Sequence, residues 1–215
     1  MRAFAPQALL AAALMIAPCL AQAETVTFAQ AQVGSLPKDF EAELTGDGLP
    51  GLWAIVTDKD AQSGRALEQR TPDPTEDRFP IAIYEPVRAR NVEASVEFKT
   101  LYGKVDQTGG VAVRLIDPNN YYVARAKALE DNVRFYRVVG GKREQIASAE
   151  TRVTPGDWHT LTLRAERERF TVSFDGQELF TVTDWTFGGE GRVALWTKAD
   201  SITRFDRLDI KPLSE

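Results

Sequence analysis

Residues 117–143, DPNNYYVARAKALEDNVRFYRVVGGKR, hold two strand-like runs and a tight Gly140-Gly141 turn, with Tyr121, Tyr122, Arg125, Asn132, Arg134 and Tyr136 crowded onto them. A sheet that only covers a core is served by Thr and Ser at such positions. Rings beside guanidinium and amide groups do something more specific, gripping sugars or other polar small molecules with many hydroxyls. Glu130 and Asp131 lie between the two runs and are the candidate catalytic carboxylates. With Asn132 they equally suit the capping of a turn or the closing of one end of a groove.

Other reactive groups are few. His159 is the only histidine, follows Trp158 at a strand start, and has no visible partner for triad geometry, so it reads as structural. One histidine without cysteine is too little for zinc. Gly188-Gly189-Glu190-Gly191 precedes a strand, whereas a phosphate loop opens a helix. The mixed-charge run 164–169 reads as a solvated hairpin tip.

The elements that position these groups are strands. Residues 92–99 alternate apolar and polar without a break, and residues 170–174 do the same before an Asp175-Gly176 turn of type I′ character. Gly140-Gly141 joins 133–139 to 143–147 in the same way, and further strands are expected at 53–57, 66–69, 110–116, 121–126, 158–165, 192–197 and 202–210. No long window has a 3.6-residue period, and 71–80, TPDPTEDRFP, reads as a loop. Many strands without helices define an all-β, two-sheet antiparallel sandwich.

Alternation then sorts side chains to faces. Val111, Val113 and Leu115 should enter the core and leave Arg114 outside; Val133 and Phe135 oppose Arg134 and Tyr136; Val193 and Leu195 oppose Trp196 and Lys198. In 121–126 a charged Arg125 is easier to place outside, which puts Tyr121 out and Tyr122 in. The candidate ligand-binding face is therefore Arg114, Tyr121, Arg125, Arg134, Tyr136, Trp196 and Lys198, with an exposed Trp196 as its strongest member. Each of these residues alone also fits a solvated strand face.

The first 23 residues form a signal peptide: Arg2 is the charged n-region, 8–17 is apolar, and Ala21-Gln22-Ala23 is the cleavage site. The apolar run is shorter than the ~18 residues of a membrane span, so no transmembrane segment is expected. Residues 24–215 then form one exported domain, periplasmic or secreted. The only cysteine, Cys19, leaves with the signal peptide, which removes disulfides and thiolate chemistry. Loss of Arg2 leaves 25 basic against 31 acidic residues, a balance unlike that of a nucleic-acid binder.

Several segments together resemble a known family: Arg78-Phe79-Pro80, the run 106–110 (DQTGG), 117–122 (DPNNYY), 128–132 (ALEDN), 141–143 (GKR), 158–161 (WHTL) and 195–201 (LWTKADS). They are similar to the concanavalin A-like lectin and glucanase jelly rolls, and within these to the 3-keto-disaccharide hydrolase-like exported bacterial domains loosely called family 16 glycoside hydrolases. The resemblance implies a jelly roll with its ligand on the concave sheet. It also implies calcium as the cofactor to consider, with Asp106, Asp117 and Asn119 as loop oxygens that would hold it or simply form turns. The E-x-D-x-x-E catalytic strand of family 16 is absent. Glu93 and Glu97 share a face but lie about 13 Å apart at about 3.3 Å per residue, beyond the roughly 5–9.5 Å of glycosidase carboxylate pairs. Three readings follow: a carbohydrate-interacting lectin-like or binding-module domain, a 3-keto-glycoside hydrolase using Glu130 or Asp131, and a non-catalytic envelope or scaffold protein.

Overall fold

The computed structural model describes residues 22–214, so the expected signal peptide lies outside it except for Gln22 and Ala23. The described residues form fifteen strands: β1 (Glu24–Thr27), β2 (Phe40–Gly46), β3 (Trp53–Thr57), β4 (Arg65–Gln69), β5 (Arg78–Ala89), β6 (Val92–Tyr102), β7 (Thr108–Asp117), β8 (Asn120–Lys127), β9 (Asn132–Val139), β10 (Lys142–Glu150), β11 (His159–Glu166), β12 (Arg169–Phe174), β13 (Gln177–Thr183), β14 (Gly191–Trp196) and β15 (Ile202–Pro212). They pair antiparallel into two sheets. One runs β13-β12-β11-β6-β15-β4-β3, with β1 also on β15; the other runs β10-β9-β8-β7-β14-β5-β2. This is the two-sheet antiparallel sandwich expected from the strand pattern, and the jelly roll that the resemblance implies.

The main core lies between the sheets. Paired residues of β6 and β11, such as Val96 and Leu161, share it with Val111, Val113, Tyr122, Phe135 and Leu195 of the seven-stranded sheet. Asp175-Gly176 and Gly140-Gly141 both have positive φ at the two central residues, as type I′ hairpins require. Tyr122 points inward and donates its hydroxyl to Asp184 at 2.5 Å.

The seven-stranded sheet is buried on its other face too. There Ile81, Ile83, Ala112, Leu115, Tyr121, Val123, Tyr136, Val138, Ala194 and Trp196 form a second apolar cluster. Three contacts draw the margins of the sheet together over it. Thr45 of β2 donates to the Pro118 carbonyl at the β7–β8 tip and lies 2.9 Å from the Tyr121 hydroxyl, although β2 and β8 are separated by three strands. The β9–β10 tip joins the same assembly, with the Gly141 N–H donating to Asn119 O at 2.9 Å.

Arg114 corrects the alternation. Its φ is +50°, the register slips between Val113 and Asp117, and Gly191 of β14 packs so close that an added Cβ would lie 2.3 Å from the Arg114 carbonyl carbon. The bulge exchanges the faces of Arg114 and Leu115: Leu115 joins the outer cluster, and Arg114 turns to the end of the sandwich. There its guanidinium lies over the Phe170 ring and donates to the carbonyls of Arg90, Phe187 and Arg167. It is a loop clamp, not part of a ligand face. Arg114→Ala strands three carbonyls and is expected to lower stability by about 3 kcal/mol in urea unfolding, with an unchanged m-value.

Candidate ligand-binding site

Five of the seven expected residues, Tyr121, Arg125, Arg134, Tyr136 and Trp196, share the outer face of the seven-stranded sheet. Their exposure differs from the expectation. Trp196 is fully buried, stacks on Phe79 at 5.3 Å and donates its indole N–H to the Tyr121 hydroxyl at 3.1 Å. Tyr121 is fully buried as well, and burial pushes its phenol up to about 12. These rings are the second core's filling; the sequence pattern places them on the right face but cannot show that the hairpin tips bend over them.

The polar groups gather at one end of that face. Arg125 donates to Asn132 Oδ1 and, at 3.3 Å, to the Tyr136 hydroxyl. Glu130 lies 2.7 Å from Lys127 Nζ, 3.2 Å from Asn132 Nδ2, 3.5 Å from Arg134 and 3.9 Å from Arg125. The Lys127 ammonium, then Asn132 and Arg125, outweigh burial and hold the Glu130 carboxyl at about 2. Beneath them Asp106, itself buried, accepts from Lys127 at 3.2 Å and from Lys198 at 3.0 Å. Lys198 therefore lies past the end of β14 and supports the cluster from below. The side chains of Glu130 and Arg134 remain 42% and 32% exposed, which leaves this end reachable from solvent.

Tyr136 sits at the centre. Arg143 of β10 lies 4.4 Å from its ring, and Arg125 5.8 Å. Burial acts to raise its phenol, but the charges of Arg125 and Arg143, with hydrogen bonds from Arg125 and Arg134, bring it below the ordinary tyrosine value. Lys127 and Arg143 escape the sequence reading. The first is the next step of the 121, 123, 125 alternation; the second lies on the partner strand of a recognised hairpin. Trp185, 73% exposed on the β13–β14 connection, escapes it too, and the signal available is an aromatic residue at a loop tip.

The remaining candidates separate. Asp131 braces the β10–β11 connection, accepting from the Val153 N–H at 2.9 Å, and forms no ion pair among the described residues. Asp106 precedes the ten-residue strand β7, and Asp117 ends it. Asp106 is held by lysines, while Asp117 accepts from the Asn119 N–H at 2.7 Å and from the Asn120 amide. The three residues considered for calcium are thus not brought together, and no cluster of three or more His, Cys, Asp or Glu occurs among the described residues. His159 lies 2.8 Å from Asp175 and 3.0 Å from the Thr154 carbonyl, a brace for the 154–160 turn.

No protein-family model and no curated protein matches the chain. Solved structures do match in fold. The carbohydrate-binding module CBM66 from Bacillus subtilis superposes with a TM-score of 0.64 at 20% identity, covering 79% of this chain and 94% of that one. Domain 4 of AbnA, a GH43 extracellular arabinanase from Geobacillus stearothermophilus solved with arabinotriose, gives 0.58 at 16%, covering 89% and 94%. A β-1,3-1,4-glucanase from a mouse hindgut metagenome gives 0.59 at 11%, covering 89% and 100%. The chain has the concanavalin A-like jelly-roll fold.

Two outcomes follow. Trp196→Ala is expected to cost about 3–5 kcal/mol of stability, as for a core tryptophan, measured by thermal and urea unfolding. The Glu130 carboxyl is held at about 2 in the folded protein against an ordinary value of 4.5, so the stability it contributes is full above pH 4.5 and declines as the pH falls towards 2. A stability–pH curve of Glu130→Gln should be flatter than wild type across that window and parallel to it above.

Proposed function

We propose that the chain is a carbohydrate-interacting jelly-roll domain that binds its ligand at the Glu130–Arg134 end of the outer face. The observation that carries this reading is the crowding of Arg125, Lys127, Glu130, Asn132 and Arg134 around Tyr136, donors and acceptors side by side and partly open to solvent. A sugar hydroxyl both donates and accepts, so neighbouring hydroxyls are matched by a carboxylate next to guanidinium and amide groups. The ionised Glu130 supplies the acceptor, and Arg134 and Asn132 supply donors. That CBM66 and the AbnA domain share this fold supports the reading by analogy. The leader-like sequence of residues 1–23 favours an exported location, where polymeric glycans are met.

The hydrolase reading gains nothing from Glu130, because a carboxyl held at about 2 is a weak base at neutral pH. Asp131 is engaged elsewhere.

The test is calorimetric binding to a panel of neutral and acidic glycans. Arg134→Ala, a change at a partly exposed position, should keep the native circular dichroism and weaken binding by about tenfold or more, the usual effect of losing charge-assisted hydrogen bonds. Trp185→Ala should bind as wild type does. Binding lost with Trp185→Ala and retained with Arg134→Ala would move the site to the β13–β14 connection.

A further inference from the structure

The charge of the site is opposite to that of the protein. Across the whole chain 31 acidic residues outnumber 26 basic ones. At the outer face Arg125, Lys127, Arg134, Arg143 and Lys198 meet only two carboxylates in ion-pair range among the described residues, Asp106 and Glu130. Those two carboxylates serve chiefly the lysines. Asp106 pairs with Lys127 and Lys198, and the shortest contact of Glu130 is with Lys127. Glu41 and Glu43 of β2 and Glu150 of β10 also lie on this face; Glu41 pairs with Arg192, and Glu43 and Glu150 make no ion pair among the described residues.

Two of the arginines each keep a donor without an acceptor. Arg143 has no carboxylate within ion-pair distance among the described residues; its guanidinium instead lies 4.4 Å from the Tyr136 ring, 4.8 Å from Phe79 and 5.8 Å from Trp196. Its Nη1 is buried without a hydrogen-bond partner, and so is Nε of Arg134. A buried N–H of a charged group left unmade is costly. The two flank the same tyrosine on side chains that are only partly buried, so a ligand docking against Arg134 and Arg143 can supply acceptors. The lowered phenol of Tyr136 agrees, since it senses a positive potential that prevails over burial.

A neutral hydroxyl would fill one N–H but leave the excess charge uncompensated. A planar carboxylate matches the guanidinium fork and neutralises it. We infer that this face takes an acidic glycan, a chain of sugars bearing carboxylates, with Arg134 and Arg143 as the carboxylate-binding residues. The inference rests on the carbohydrate reading above and specifies its ligand class.

The experiment compares polygalacturonate with its methyl ester, which keeps the backbone and removes the charge, alongside poly-glutamate and a neutral glucan. Polygalacturonate should bind at least about tenfold more tightly than the ester and weaken steadily as salt rises. Arg134→Ala should weaken polygalacturonate binding by about tenfold, and Arg143→Lys, which keeps the charge but loses the fork, should do so as well. Arg164→Ala, on the other sheet, should have no effect. Arg143→Lys keeps the test open if a larger truncation there fails to fold. Equal affinity for acid and ester, or binding of the neutral glucan alone, would overturn the acidic-glycan inference and leave the carbohydrate reading standing. Poly-glutamate binding as tightly as polygalacturonate would overturn it in favour of simple polyanion attraction. Failure to bind any of the glycans would sink both readings.

Discussion

A sheet that carries apolar side chains on both faces has to be covered twice. The seven-stranded sheet is in this position. Its inner face is covered by the eight-stranded sheet, and over its outer face the β7–β8 and β9–β10 tips bend until Pro118 and Tyr121 reach Thr45 on the far edge strand. That bend fixes much of what is distinctive about the surface. It buries Trp196 and Tyr121, brings Arg143 over three rings, and confines the polar groups to the end where Glu130 and Arg134 stay open. The candidate site is the margin of a second core.

The buried and half-buried arginines divide by how fully their donors are used. Arg114 donates to three backbone carbonyls and Arg78 to four, those of Leu49, Thr71, Ala199 and Pro50. Each ties loops together at an end of the sandwich, and each contributes by satisfying carbonyls that would otherwise lie buried and unpaired. Arg134 and Arg143 differ, since each has a buried nitrogen with no partner. Arg192 and Arg207 also keep a buried Nε without a partner, but each is neutralised by a carboxylate, Arg192 by Glu41 and Glu85 and Arg207 by Asp209, whereas Arg143 is not.

Where one face of a strand is wet, its sequence announces it. The alternation of 92–99, the two type I′ turns and the inward Tyr122 are all legible for this reason. Strand β5 is not, although residues 79–84 are buried on both faces: a continuous FPIAIY run has no alternation to read, and Pro80 and Pro86 argue against a strand. The short β1 and β2 escape the pattern as well. In the site, parity places Tyr121, Arg125, Arg134, Tyr136 and Trp196 on one face. It fails at Arg114, because a bulge changes the count by one. Nor can it foresee the burial of Trp196, which depends on the bending of hairpins remote in sequence.

The ion pairs explain why the site keeps its positive excess. Removing a carboxylate from water is costly unless cations and hydrogen bonds surround it. Asp106 meets that condition with two lysines and Thr108, and in turn fixes Lys127 and Lys198 beneath the site. Glu130 completes the shell of Lys127 from above. Glu130 also reaches Arg134 and Arg125, and neither acid lies within ion-pair distance of Arg143. Swapping an acid into reach of Arg143 would satisfy the guanidinium internally and remove the reason for a ligand to bind there.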